Sequence, residues 1–209
     1  MNPEKELTTE ERIIRAAEEV FTAKGKSGAR MKEIAGRAGI NQALLHYYFR
    51  SKDKLFEEVF ERVVGRVFPG VFTILGEEIP FFEKIEKFIH AYMDAIEAHP
   101  ELPMFIIKAL GDKPDRLAET IISSFRQQRF DPVESIRKDV ELEIEAGRMI
   151  EIDPRHLMVN IISISVFPFI ARPMISRIAF PKDADRYDGF LDERKKHVPK
   201  FIINAIRKG

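Results

Sequence analysis

The chain has 209 residues, 44% hydrophobic and 33% charged, and its 34 basic and 34 acidic side chains balance to zero. That composition is globular with ample core material, and the balance excludes a chain that is basic throughout. The lack of cysteine excludes disulfides and thiolate metal sites. No run of about 18 apolar residues predicts a membrane span, and the polar start MNPEKELTTEE lacks an apolar signal core, so the cytoplasm is the expected location.

Thr8-x-x-Glu11 is a capping box. The helix it opens carries Ile13, Ala17, Val20 and Phe21 on one face and is expected to stop at Gly25. Lys24, Lys26 and Ser27 fall in the connection, and Ser27 or Ala29 precedes the next helix. That helix is predicted over residues 31–38. Gly39-Ile40-Asn41 is a turn, since glycine reaches φ > 0 without strain and Asn41 offers an N-cap oxygen. A second short helix follows over 42–48. Ile34, Ala35, Ala38, Ile40 and Leu45 are spaced to share one core, and Phe49 reads as core too. Two short helices joined by a glycine-containing turn, the second polar on its free face, form a helix-turn-helix. Such a unit lays its second helix in the major groove of DNA.

Ser51 is the expected N-cap of a fourth helix running through Leu55, Phe56, Val59, Phe60 and Val63. Pro69-Gly70 is predicted to end or kink it, and the domain boundary falls there, giving a head over 9–69 and a body over 70–209. Charge sharpens the division. From Lys24 to Lys54 eight basic residues face two acidic ones, whereas residues 55–209 carry 23 basic and 26 acidic side chains. A compact basic segment ahead of an acidic body is the electrostatic footprint of a DNA-binding head.

The body reads as helical throughout. Helices are predicted over 81–98, 101–110, 114–129, from Asp131-Pro132 to Ala146 with a stop at Gly147, and from Asp153-Pro154, where the aspartate caps and the proline sits in the first turn. Pro168 and Pro173 are expected to break or bend that last apolar run. A loop around 180–189 then precedes a final helix reaching about Arg207. No segment alternates with period two and no repeat is visible, so the fold class is all-α: a small helix-turn-helix head and a larger helical body.

At the start of the reading helix, Asn41 and Gln42 occupy the end that meets base edges. Gln42 can pair bidentately with adenine, and Ala43 and Leu44 can touch a thymine methyl. The free N–H groups at the start of the preceding helix suit a phosphate, with Arg30 and Lys32 adding charge.

The run AGINQALLHYYFRSKDKLF resembles the recognition region of the tetracycline-repressor (TetR) family of transcriptional regulators, through Tyr47, Tyr48, Phe49, Ser51, Lys52, Asp53 and Leu55 in order. The match spans about Thr9 to Phe60. It implies that Tyr47, Tyr48 and Lys52 hold the phosphate backbone, with His46 where another tyrosine is common. Gln42, Ala43 and Leu44 depart from the family's usual Lys, Gly or Pro, and Thr or Ser. The resemblance further implies a homodimer formed by two late helices (157–170 and 190–206), a palindromic operator in double-stranded DNA, repression rather than activation, and release by a small molecule bound in the body. No cofactor or metal is implied. Phe82, Tyr92, Met93, Phe105, Phe125, Met158 and Phe167 are the candidate lining of a pocket for an apolar ligand. The three departures leave one alternative open: a dimeric helical ligand- or protein-binding module without sequence-specific DNA binding. Catalytic signatures are missing. The five histidines form no HExxH, no P-loop or GxGxxG occurs, and Ser163, Ser165 and Ser176 lack a glycine-flanked elbow. His90 and Asp94 stand one helical turn apart and read as an ordinary hydrogen-bonding pair.

Overall fold

Thr8 and Glu11 open the first helix of the computed structural model reciprocally: the Glu11 N–H donates to Thr8 Oγ1 at 3.2 Å and the Thr8 N–H to the Glu11 carboxylate at 2.7 Å. The structure describes all residues except 1–6, 112–113, 128–130, 182 and 184–185. Helix α1 (Thr9–Gly28) buries Ile13, Ala17, Val20 and Phe21 completely. It does not stop at Gly25 but is broken there, at a φ of 68° that only glycine adopts without strain, and runs on to Gly28, so Lys24, Lys26 and Ser27 lie within it and not in a connecting loop. Helix α2 (Met31–Arg37) ends at Ala38, and Gly39, again at φ 68°, turns the chain so that the Ile40 N–H reaches the Ala35 carbonyl at 3.0 Å. This is a glycine C-cap closing the helix. Helix α3 (Gln42–Tyr48) follows, and Ile34, Ala35, Ala38 and Leu45 are buried together while Ile40 and Phe49 are half-buried.

Helix α4 (Lys52–Phe72) begins where Ser51 Oγ accepts the Lys54 N–H at 3.2 Å. It does not stop at Pro69-Gly70. It runs on to Phe72 and passes into a 3-10 turn, Thr73–Gly76. A proline removes one rung of the ladder while its own φ stays helical, and the burial of Val71 and Phe72 in the body core holds the final turn.

Contacts divide the chain into two units. The first comprises Met1–Arg66 and Met104–Ile122, the second Val67–Pro103 and Ser123–Gly209. The second is built on α5 (Phe81–Ala98), whose Phe81, Ile85, Phe88, Ile89 and Met93 are buried. Helix α6 (Leu102–Leu110) is apolar and short, and α7 (Pro114–Gln127) follows it. Helix α8 (Pro132–Glu145) is capped by Asp131, which accepts from the N–H groups of Val133 and Glu134 at 3.0 Å each, and it is closed by Gly147 at φ 69°. Helix α9 (Pro154–Ile170) is capped by Asp153 and, like α8, packs on α5. The Arg155 guanidinium, through its hydrogen bonds to Asp153, holds that carboxyl down at about 2.

Two late boundaries differ from the sequence expectation. Pro168 lies buried inside α9, and the chain turns instead at Ala171, by 74°, into α10 (Arg172–Ala179), with Pro173 in its first turn. The last helix, α11 (Arg186–Ile206), starts four residues before Phe190, because Tyr187 is fully buried and its hydroxyl donates to the Pro168 carbonyl at 2.8 Å. A tertiary anchor of that kind draws an extra turn out of a polar, glycine-containing segment. Among the described residues there is no β-strand beyond one bridge between Met149 and Arg207, and no single helix is long and apolar enough to cross a membrane.

Candidate nucleic-acid interface

Helix α3 buries one side chain. Leu45 is fully buried, while Gln42, Ala43, Leu44, His46, Tyr47 and Tyr48 are all exposed. Its start is secured by Asn41, whose side-chain oxygen accepts the Leu44 N–H at 2.8 Å. The exposed face is preorganised. Gln42 Nε2 and His46 Nε2 stand 3.5 Å apart across one turn, and the Tyr47 and Tyr48 rings meet edge to face with centroids 5.7 Å apart. Tyr47 is 80% exposed, far beyond what packing alone asks of an aromatic residue.

The basic segment sorts into two groups. Lys24 pairs with Glu33 at 2.8 Å, Lys26 with Asp53 at 3.1 Å, and Arg37 with Glu19 and Glu33. The hydrogen bond from Lys24 holds the Glu33 carboxyl below its ordinary range. These pairs tie the helices together and leave little charge for a partner. Arg30, Lys32, Arg50, Lys52 and Lys54 have no carboxylate partner among the described residues. Arg30 stands at the N-cap position of α2, where no side chain covers the free N–H groups. Lys52 is half-buried and donates to the carbonyls of Ser27 at 3.5 Å and Ala29 at 3.2 Å. An ammonium has three donors, so one remains for a phosphate. The set missed by motif reasoning is Arg50 and Lys54, both exposed. Their signal was the basic run itself.

The proposed pocket lining does not assemble as one group. Met93 is fully buried in the body core, and Phe82, Tyr92, Phe125 and Met158 pack half-buried against that core. Burial pushes the Tyr92 phenol up to about 12. Phe105 is elsewhere: it belongs to the first unit, packed on Phe56 and Phe60 of α4 with centroids 5.5 and 5.8 Å away. Phe167 is 53% exposed, because α9 is apolar around its whole circumference and cannot bury every side at once. The second unit also has an open cleft of about 450 Å³, with a polar lining that includes Glu78, Lys84, Ser135, Lys138 and Asp139. His90 does not engage Asp94: its Nε2 lies 2.9 Å from the Lys195 carbonyl, while Asp94 pairs with the Lys195 ammonium at 2.6 Å.

Residues 13–59 match the family described as bacterial regulatory proteins, tetR family. The HTH-type transcriptional regulator RutR of Escherichia coli K12 is 22% identical over 93% of this chain and 89% of its own length. The HTH-type transcriptional activator FasR of Mycolicibacterium smegmatis is 34% identical over 41% of this chain and 39% of its own. The solved structure of SCO4942 from Streptomyces coelicolor shares the fold, with a TM-score of 0.69 and 18% identity over 95% of this chain and 98% of that one. The matched segment is the one whose second short helix stands free of its unit behind an uncapped, basic helix start. Residues 13–59 therefore form a DNA-binding domain of the tetR family, and the chain is a transcriptional regulator of that type.

Proposed function

We propose that the chain acts as a homodimeric repressor of a palindromic operator, with the head over 9–69 reading DNA and the body over 70–209 dimerising and sensing a small ligand. The observation that carries this reading is α3 itself, in which only Leu45 is buried and every other position is exposed. Asn41 and Gln42 sit at the base-reading end, Ala43 and Leu44 beside them for a thymine methyl, and His46, Tyr47, Tyr48 and Lys52 toward the backbone. Arg30 and Lys32 bring charge to the start of α2, where free N–H groups suit a phosphate.

Dimerisation is supported by apolar side chains that one chain leaves in water. Val159 and Phe167 on α9, Met174 and Ile178 on α10 and Phe201 on α11 are all more than half exposed. Exposed apolar side chains on α9 and on the two helices that pack against it suit an association surface. A two-fold dimer presents two α3 helices related by symmetry, hence a palindromic site. Release requires a ligand that prefers the arrangement unable to bind DNA, and a tenfold release needs about 1.4 kcal/mol of preference. Repression is the family's commoner habit. FasR is an activator, so transcription from a promoter carrying the site decides the sign.

Selection of bound duplexes from a random DNA pool tests the whole reading. An inverted repeat enriched at low salt is the expected result. A pool that stays random, or a strictly monomeric particle, would overturn it.

A further inference from the structure

We propose that Lys108, on α6, is a positioning residue of the DNA-reading head. It stands more than fifty residues beyond the helix-turn-helix in sequence yet lies in the same unit. Its ammonium donates to the carbonyls of Thr22 and Ala23, each at 3.2 Å. Those are carbonyls of the last α1 turn before the break at Gly25, which helix geometry leaves without an N–H partner, and a cation suits the negative end of the helix dipole. The lysine stem explains Gly25 a second time: a Cβ there would stand 3.3 Å from Lys108 Cδ. Phe105, one turn earlier on α6, anchors the same helix against Phe56 and Phe60.

The connection from α1 to α2 is thereby held from two sides. Lys108 takes the carbonyls before Gly25, and Lys52, from α4, takes those of Ser27 and Ala29 after it. Between them the Ala29 N–H bonds the Gly25 carbonyl at 3.2 Å. The next residue is Arg30, whose carbonyl accepts the first N–H groups of α2, from Glu33 and Ile34. The direction in which α2 leaves this connection sets the pose of α2 and α3 on a duplex. A connection that must be ordered on binding costs affinity, and Lys108 orders it beforehand.

This inference rests on the reading of α3 as the base-contacting helix, so the test has one arm that needs no DNA. In the full chain, Lys108→Met keeps the stem and removes the ammonium, and Lys108→Arg keeps the cation; Lys108→Gln is carried alongside in case the methionine variant misfolds. Amide exchange at Ala29, Glu33 and Ile34 should quicken in the neutral variants and return toward wild type in Lys108→Arg. Affinity for a duplex selected by the wild-type chain should fall on the order of fivefold in the neutral variants, with an unchanged slope of affinity against salt. Unchanged exchange overturns the proposal. So does a slope reduced by about one unit, which would make Lys108 a direct phosphate ligand. If the wild type selects no duplex, the DNA reading fails, and the exchange arm still judges the lysine.

Discussion

The Asn41 side chain and the Leu44 backbone are joined by a 2.8 Å hydrogen bond, so the residue that caps α3 also stands at the end proposed to face DNA. Asn41→Ala should lower the stability of the head by about 1 kcal/mol through loss of the cap. Asn41→Asp should keep the cap and yet bind DNA more weakly, because it sets a negative charge among phosphates. Denaturant melts and a duplex titration run on both variants separate the two effects; equal affinity of Asn41→Asp and wild type would remove Asn41 from the interface.

Gln42 is exposed on the first turn of α3 and braced by His46 at 3.5 Å. Gln42→Ala should cost about 1–3 kcal/mol of discrimination at one base position and leave the others alone. Competition titrations against single-base operator variants measure this. A uniform loss across all positions would mean that Gln42 meets the backbone instead.

Lys52 binds two carbonyls of the α1–α2 connection and keeps one donor free. Lys52→Ala should weaken binding to every duplex alike and flatten the salt dependence by about 0.9 units of slope, the value for one phosphate left without its cation. Anisotropy titrations at several salt concentrations read the slope directly. A weakened affinity with an unaltered slope would assign Lys52 to holding the connection only.

In the body, Lys84 is 4% exposed and its ammonium meets the Asp139 carboxylate at 2.5 Å. Removing one member of a buried pair strands the other charge. Either Lys84→Met or Asp139→Leu alone should therefore destabilise the chain by about 3 kcal/mol, and the double change Lys84→Met with Asp139→Leu should recover most of that. Chemical denaturation of the two single variants and the double completes the cycle. Additive losses would show that the two side chains act independently.

Features governed by a few neighbouring residues were legible before any coordinates. The Thr8–Glu11 box, the break at Gly25, the stops at Gly39 and Gly147, the caps Asn41, Asp131 and Asp153, and the limits of α3 all follow from hydrogen bonds and dihedrals set within five residues. Their geometry is set by dihedral preference and side-chain reach, which travel with the sequence. The exposed face of α3 was readable for the same reason: the helix buries one apolar side chain, Leu45, and leaves its other positions in water.

Only the tertiary structure decided what each apolar or basic side chain meets. Periodicity says that Phe105 faces a core, not that this core is the Phe56–Phe60 cluster of the first unit. The buried ends of α4 and α11 extend past a proline and a glycine-containing segment because Val71, Phe72 and Tyr187 gain more from burial than the backbone loses. Lys108 reaches carbonyls 85 and 86 residues away. The physical reason is common to all three: a side chain's chemistry is local, but the surface that desolvates it or accepts its proton is assembled from distant parts of the chain.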